Sequence, residues 1–171
     1  MPLGFLCAVL FLFLARPRPL SLAIGGAISV LGLAIRAWAS GHIRKNDALA
    51  TSGPYAYSRN PLYFGSFLLG LGFTIGSGWW PLGIVFAALF VGIYLPVMRV
   101  ESATLAEIFG TDYMRYASNV PLFFPRFTRF GKATQSRKFD SGLYMRYREY
   151  RASLGLLVAW AILAFKAYYV K

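Results

Sequence analysis

LSLAIGGAISVLGLAIRAWA, residues 20–39, holds one charged side chain, Arg36, among apolar and small residues. At 1.5 Å of rise per residue the run makes a helix of about 30 Å, the thickness of one hydrocarbon core. Arg36 stands near its end, within reach of the interface for a long basic side chain. Three similar runs follow, Pro61–Ile75, Pro81–Met98 and Ala152–Val170. A shorter one, Leu3–Ala15, precedes it and ends in Arg16-Pro17-Arg18-Pro19. No basic residue comes before that first run and no small-x-small cleavage pattern follows it, so it predicts a short membrane helix and not a secretory leader. The sequence therefore predicts an all-α integral membrane protein with about five transmembrane helices, forming one domain over residues 1–171.

The composition agrees. Of 171 residues, 57% are hydrophobic and only 14% charged, and the mean hydropathy is +0.53. A soluble domain carries about 25% charged residues, and a disordered chain is poor in apolar ones. Eighteen Lys and Arg stand against six Asp and Glu, a formal charge of +12. The basic residues cluster between apolar runs, as in loops facing anionic lipid, which argues against a nucleic-acid partner and for the lipid bilayer. One cysteine, Cys7, allows no internal disulfide. One histidine, His42, and six scattered acids supply no recognisable metal site. His42 reads as a loop residue at the membrane surface.

The polar connections divide by side. Residues 41–60 and 99–151 are basic, the second holding ten of the eighteen Lys and Arg, whereas the turn at 76–80 carries no charge. The excess of positive charge predicts that both basic segments are cytoplasmic, with the N-terminus inside and the C-terminus outside. Arg16 and Arg18 then fall on the outer side, against the trend. Trp79 and Trp80 suit an interfacial anchor. Gly70, Gly72 and Gly76 predict close helix packing within the monomer. Over 137–171 an interfacial amphipathic helix, with Tyr144, Tyr147 and Tyr150 among Arg146, Arg148 and Arg151, leads into the last span.

Two segments on the basic side are patterned for chemistry. In TSGPYAYSRNPLYFG, residues 51–65, Arg59 stands just before a helix that begins at Pro61, a favoured first helical position. The unpaired N–H groups of that helix and the planar guanidinium would together seat a carboxylate or phosphate. The alternative is a topology-setting charge that meets lipid headgroups. In RVESATLAEIFGTDYMRY, residues 99–116, Glu101, Leu105, Ile108 and Phe109 share one helical face. Gly110 is placed to end that helix and Thr111 to cap the next turn. Glu101 lies just beyond a span, where an acid needs a partner: Arg59, a ligand ammonium or a neighbouring base such as Arg99. The stiff apolar stretch Val120–Arg126 either closes over a pocket or lies in the interface. No Gly-rich phosphate loop, nucleophile elbow or HExxH zinc pattern occurs.

Gly53-Pro54-Tyr55, Arg59-Asn60-Pro61-Leu62-Tyr63-Phe64-Gly65, Glu101-Ser102, Phe109-Gly110-Thr111-Asp112-Tyr113-Met114-Arg115-Tyr116 and Val120-Pro121, in that order and spacing, resemble the isoprenylcysteine carboxyl methyltransferase and phospholipid methyltransferase superfamily of membrane enzymes. The core of the resemblance lies within residues 41–126. Asn60 stands where the superfamily usually has His, and Ser102 where it has a second Glu. The resemblance implies a cofactor cleft for S-adenosyl-L-methionine on the cytoplasmic face and a lipid-like or isoprenylated acceptor arriving from the bilayer. It implies Arg59 and Glu101 as catalytic residues, and Gly53, Tyr55, Arg59, Asn60, Tyr63, Gly65, Glu101, Tyr113 and Tyr116 as cofactor-binding residues. Arg59 suits the donor's carboxylate, Glu101 its ammonium, its ribose or an incoming amine, and the tyrosines its adenine or sulfonium. Two other readings compete. One is a nicotinamide-dependent membrane reductase of similar topology, which would call for more Lys and Arg around 99–126. The other is a non-catalytic lipid-binding scaffold, which the missing second Glu would suit.

Overall fold

In the computed structural model the described residues are 11–43, 48–131 and 139–169. Five helices are named here: α1 (Pro19–Ser40), α2 (Pro61–Gly76), α3 (Pro81–Asn119), α4 (Ser141–Arg146) and α5 (Tyr150–Tyr169). A 3-10 turn, Gly53–Ala56, stands in the connection between α1 and α2. Helices α1, α3 and α5 are long and apolar enough to cross a membrane, and α2 is a shorter apolar helix. The protein is thus an all-α integral membrane protein with three long candidate spans and one short one among the described residues. Most of the expected first span, Leu3–Ala15, lies outside them; residues 11–14 are helical.

α1 begins where the Arg-Pro-Arg-Pro sequence stops extended backbone, with Pro19 at its first position, where the missing N–H costs nothing. It pairs most extensively with α2. The reason is in the glycines. A Cβ on Gly25 would lie 2.6 Å from the backbone nitrogen of Gly76, and one on Gly32 would lie 2.7 Å from the Gly65 carbonyl oxygen. In the other direction a Cβ on Gly65 would meet the Gly32 carbonyl at 2.7 Å. The two backbones therefore touch along their length, as small residues permit in a bilayer, where the solvent provides no hydrophobic drive for helices to associate. Gly76 further receives the ring of Trp160 from α5, and Gly70 the ring of Phe86 from α3. Close packing through Gly70, Gly72 and Gly76 is thereby confirmed as internal to the chain.

α3 departs from the sequence expectation. It does not stop at Met98 but runs to Asn119 through Pro96, with one break at Gly110, whose φ of 51° and ψ of −124° are non-helical. Only glycine tolerates that conformation readily. The expected helix end at Gly110 is real, but the chain resumes helical geometry at once. The span therefore runs without a loop into the first part of the motif-bearing segment, and a kink at Gly110 sets off the turns that carry Tyr113 and Tyr116. Aromatic rings fix it to α2: Phe90 packs on Phe67, and Tyr94 on both Phe90 and Tyr63.

The expected interfacial helix is also broken. α4 lasts six residues, capped by the Asp140 carboxylate on the Gly142 and Leu143 amides. Arg148, at φ 55°, then turns the chain into α5.

Replacing Gly25 by Val drives methyl groups into the α2 backbone, and overpacking of this kind costs about 1–3 kcal/mol. Gly155 on α5 has nothing within 4 Å of its would-be Cβ, so Gly155→Ala gains helix propensity of about 0.5–1 kcal/mol. Thermal unfolding in mild detergent should show the midpoint falling for Gly25→Val and rising slightly or holding for Gly155→Ala.

Candidate functional site

The site is built where two connecting segments close on each other. Residues 52–60 form a tight loop because Gly53, at φ 58°, reverses the chain and brings Pro54, Tyr55 and Ala56 inward. A side chain on Gly53 would strike the His42 ring at 2.5 Å. His42 is accordingly buried, its Nδ1 2.9 Å from the Trp38 carbonyl oxygen and its ring against Trp38 and Phe139. His42 stands in the turn after α1, and its ring packs beneath the loop because that turn folds back over it.

The stretch 119–130 then straps this loop down. The Arg59 amide donates to the Pro121 carbonyl (3.0 Å), the Arg126 amide to the Tyr57 carbonyl (2.9 Å) and the Phe130 amide to the Ala56 carbonyl (3.0 Å). Ser58 Oγ donates to the Phe123 carbonyl at 2.8 Å, and Asn60 Nδ2 to the Leu122 carbonyl at 3.0 Å. Phe123 inserts among Phe64, Phe67 and Phe90. The stretch from Val120 is thus a backbone clamp on the loop that carries Arg59.

Within this clamp α3 delivers its polar face. The Arg59 guanidinium donates to Ser102 Oγ and to the Tyr113 hydroxyl, both at 3.2 Å, and those two hydroxyls are hydrogen-bonded to each other. Arg59 Nε is buried and has no partner among the described residues. The anticipated Arg59–Glu101 pair does not form. Glu101 instead accepts a hydrogen bond from the Tyr63 hydroxyl at 2.9 Å, and its side is exposed. Tyr63 sits one turn inside α2, whose N-terminus Pro61 opens directly after Arg59 and Asn60. Tyr116 donates to the Tyr55 carbonyl at 2.7 Å. The Tyr55 hydroxyl is buried and unpartnered among the described residues. Burial, with Tyr116, Glu101, Tyr147 and Glu149 acting in the same sense, pushes its phenol well above the ordinary tyrosine range. It is therefore a neutral donor at any physiological pH.

Of the residues singled out in the sequence, Tyr55, Arg59, Tyr63, Glu101, Tyr113 and Tyr116 come together at this end of the bundle. Gly53 shapes the loop that carries Tyr55 and Arg59. Asn60 and Gly65 serve the scaffold: the Asn60 amide is spent on the Leu122 carbonyl, and Gly65 is held against Gly32 and Arg36. Among the described residues no group of three or more His, Cys, Asp or Glu is arranged to hold a metal ion.

Sequence reasoning missed one element. Arg36 has a partner within the chain. It forms a bidentate ion pair with Glu149 (Nη2 to Oε1 2.8 Å, Nε to Oε2 3.1 Å) and donates to Ser66 Oγ. Glu149 follows the left-handed Arg148, whose conformation turns the carboxylate inward. The signal was present: Arg36 is the one charge in its run, and a charge at that depth calls for a partner.

The sequence profile of the phospholipid methyltransferase family matches residues 22–112, a little over half of the chain. The chain belongs to that family. Among similar proteins, the cobalt-zinc-cadmium resistance protein CzcN of Cupriavidus metallidurans is 38% identical over 121 residues, 68% of this chain and 55% of that protein. The nickel-cobalt-cadmium resistance protein NccN of Alcaligenes xylosoxydans xylosoxydans is 36% identical over 99 residues, 56% of this chain and 45% of that protein. The protein-S-isoprenylcysteine O-methyltransferase of Schizosaccharomyces pombe is 32% identical over 81 residues, 47% and 34% of the two chains. The chain thus matches about half or less of the length of these relatives. No solved structure matches it. The reductase and scaffold readings gain no support from these matches.

The Arg36–Glu149 pair is partly shielded, with the two side chains 22% and 12% exposed. Breaking it should cost more than the ~1 kcal/mol of an exposed pair and less than the ~3–5 kcal/mol of a fully buried one. Glu149→Gln and Arg36→Gln should each lower the unfolding midpoint. The double variant should lose less than the sum of the two, as a double-mutant cycle would measure.

Proposed function

We propose that this chain is a membrane methyltransferase that takes S-adenosylmethionine at the Arg59 cleft and methylates a lipid-borne acceptor. The observation that carries this reading is the state of Arg59. Its guanidinium is ringed by the neutral hydroxyls of Ser102 and Tyr113, its Nε is buried and unpaired, and no carboxylate pairs with it among the described residues. An unneutralised cation at such a place is costly unless an anion completes it. Ser102 contributes directly: an acid at that position would stand beside the guanidinium and compensate it. The carboxylate of an amino-acid moiety would supply that compensating charge, with the N-terminus of α2 adding to its attraction.

The rest of the donor set is consistent. S-adenosylmethionine, when bound, supplies an electrophilic methyl group on a sulfonium sulfur. Glu101 holds one oxygen toward Tyr63 and offers the other to an ammonium, a ribose hydroxyl or the proton that an amine or hydroxyl acceptor gives up. The Tyr55 hydroxyl is a neutral donor with its hydrogen bond still to make. The clamp of 119–130 fixes the loop carrying Tyr55 and Arg59, so that alignment and exclusion of water, the main requirements of a displacement at carbon, come from rigid backbone. Apolar faces of the spans beside the cleft allow a lipophilic acceptor to arrive within the bilayer, and the excess of basic loop residues supports a cytoplasmic orientation. Family membership and the isoprenylcysteine methyltransferase likeness support the reaction class. The names of the two metal-resistance relatives suggest metal handling, but the described residues provide no ligand cluster for it.

Calorimetric titration of the full chain in mild detergent tests this. S-adenosylmethionine should bind saturably and NADPH should not. Removing a hydrogen-bonded charge costs about 1.5–3 kcal/mol, so Arg59→Ala should weaken binding roughly 10- to 100-fold. Glu101→Gln should weaken it less or act on turnover. Failure of S-adenosylmethionine to bind, or binding indifferent to Arg59→Ala, would overturn the reading.

A further inference from the structure

The opposite end of the bundle carries a second cationic feature. The extended Arg16-Pro17-Arg18 corner is tied to the turn after α2: the Arg16 amide donates to the Ser77 carbonyl at 2.6 Å, and Ser21 Oγ bridges the Arg18 and Gly76 carbonyls at 3.0 and 3.3 Å. From α5, Lys166 Nζ reaches across to the Leu12 and Phe13 carbonyls. Between them lies a partly open cavity of about 560 Å3, bounded by Phe13, Leu14, Arg16, Pro17, Arg18 and Lys166. Three cations thus surround one space, and no acid lines it. All six acids of the chain fall between Asp47 and Glu149 in sequence. Neither the Arg-Pro-Arg-Pro corner nor the 76–80 turn contains one. The guanidinium groups of Arg16 and Arg18 have no carboxylate partner among the described residues.

The position is also specific. α1 separates this corner from the Arg59 cleft by 22 residues, about 33 Å of helix, which is one membrane thickness. The cations therefore sit at the other headgroup level, on the side where the charge bias of the loops would leave them out. Exposed Trp80 and the exposed apolar side chains of Phe13, Leu20 and Phe165 stand at the same level. The cavity thus combines Arg16, Arg18 and Lys166 with the apolar side chains of Phe13, Leu14 and Pro17.

We propose that this cavity seats the phosphodiester of an anionic membrane phospholipid, with Arg16 and Arg18 as its ligands and Lys166 as a nearby positive charge. The fork of an arginine matches two phosphate oxygens, and the apolar lining accepts the first carbons of the acyl chains. The prolines after each arginine restrict the backbone, so the corner is held in shape without the ligand. Free phosphate shares the headgroup chemistry but gains nothing from the apolar lining.

Native mass spectrometry of the full chain in detergent distinguishes the sources. Phosphatidylglycerol and phosphatidylcholine with identical acyl chains are offered separately, and inorganic phosphate serves as competitor. The wild type should retain phosphatidylglycerol at least about fivefold over phosphatidylcholine, given two basic groups at the headgroup level. Arg16→Gln with Arg18→Gln should abolish that preference while phosphatidylcholine adducts and the unfolding midpoint stay as they were. Arg16→Lys with Arg18→Lys, which keeps the charge and removes the fork, should retain part of it. Equal retention of both lipids by the wild type, or an unchanged preference in the glutamine variant, would overturn the proposal. Loss of the lipid to equimolar inorganic phosphate would overturn the assignment to a phospholipid.

Discussion

Everything in this bundle depends on the backbone contact between α1 and α2. In a bilayer the lipid tails solvate apolar side chains as well as a neighbouring helix does, so association rests on closeness. Gly25 and Gly32 on one helix, with Gly65, Gly72 and Gly76 on the other, reduce the separation to that of touching main chains. The consequence travels upward. Gly65 lies one turn above Pro61, so the contact also fixes the N-terminus of α2 and the register of Tyr63. The Arg36 stem lies in the same seam and carries its charge to Ser66 and Glu149. One feature thereby positions both an edge of the cleft and the entry into α5.

The cleft itself is assembled from segments that have little regular structure of their own. The loop 52–60 is shaped by Gly53 and held by the 119–130 strap through main-chain hydrogen bonds. Tyr113, Tyr116 and Val120 make the buried cluster beneath it. Tyrosines predominate because each supplies a large apolar ring for the cluster and a hydroxyl at its rim. Tyr116 uses its hydroxyl on the Tyr55 carbonyl and Tyr113 its own on Arg59 and Ser102, whereas that of Tyr55 has no partner.

The spans were legible because hydropathy is a property of consecutive residues, and a 20-residue apolar run has few other outcomes in a folded protein. Pro61 and Pro81 marked helix starts, and the run read from Leu20 begins one residue earlier, at Pro19. Gly110 was legible as a break, but whether the chain stops or resumes there depends on what Tyr113 and Tyr116 pack against, and that is tertiary. The same limit explains His42 and Glu101. Local pattern placed the first in a loop without showing what it packs on, and left the second with three candidate partners. The structure buries His42 under Gly53 and gives Glu101 to a tyrosine 38 positions earlier. Arg36 and Glu149 are 113 residues apart, too far for any local pattern to join them.

Because α3 does not end at the membrane surface, the hydrocarbon thickness becomes a variable of the cleft. Ser102 lies twelve residues beyond Phe90, a lever arm of about 18 Å, so each degree of tilt about that point carries its hydroxyl through about 0.3 Å. Long helices accommodate a thinner or thicker bilayer by tilting. A tilt of α3 relative to the Arg59 loop would change the length of the Arg59–Ser102 hydrogen bond. A separate loop would have isolated the polar face from the apolar span; here Ser102 belongs to the same helix as that span, and only the turns beyond Gly110 are set off from it.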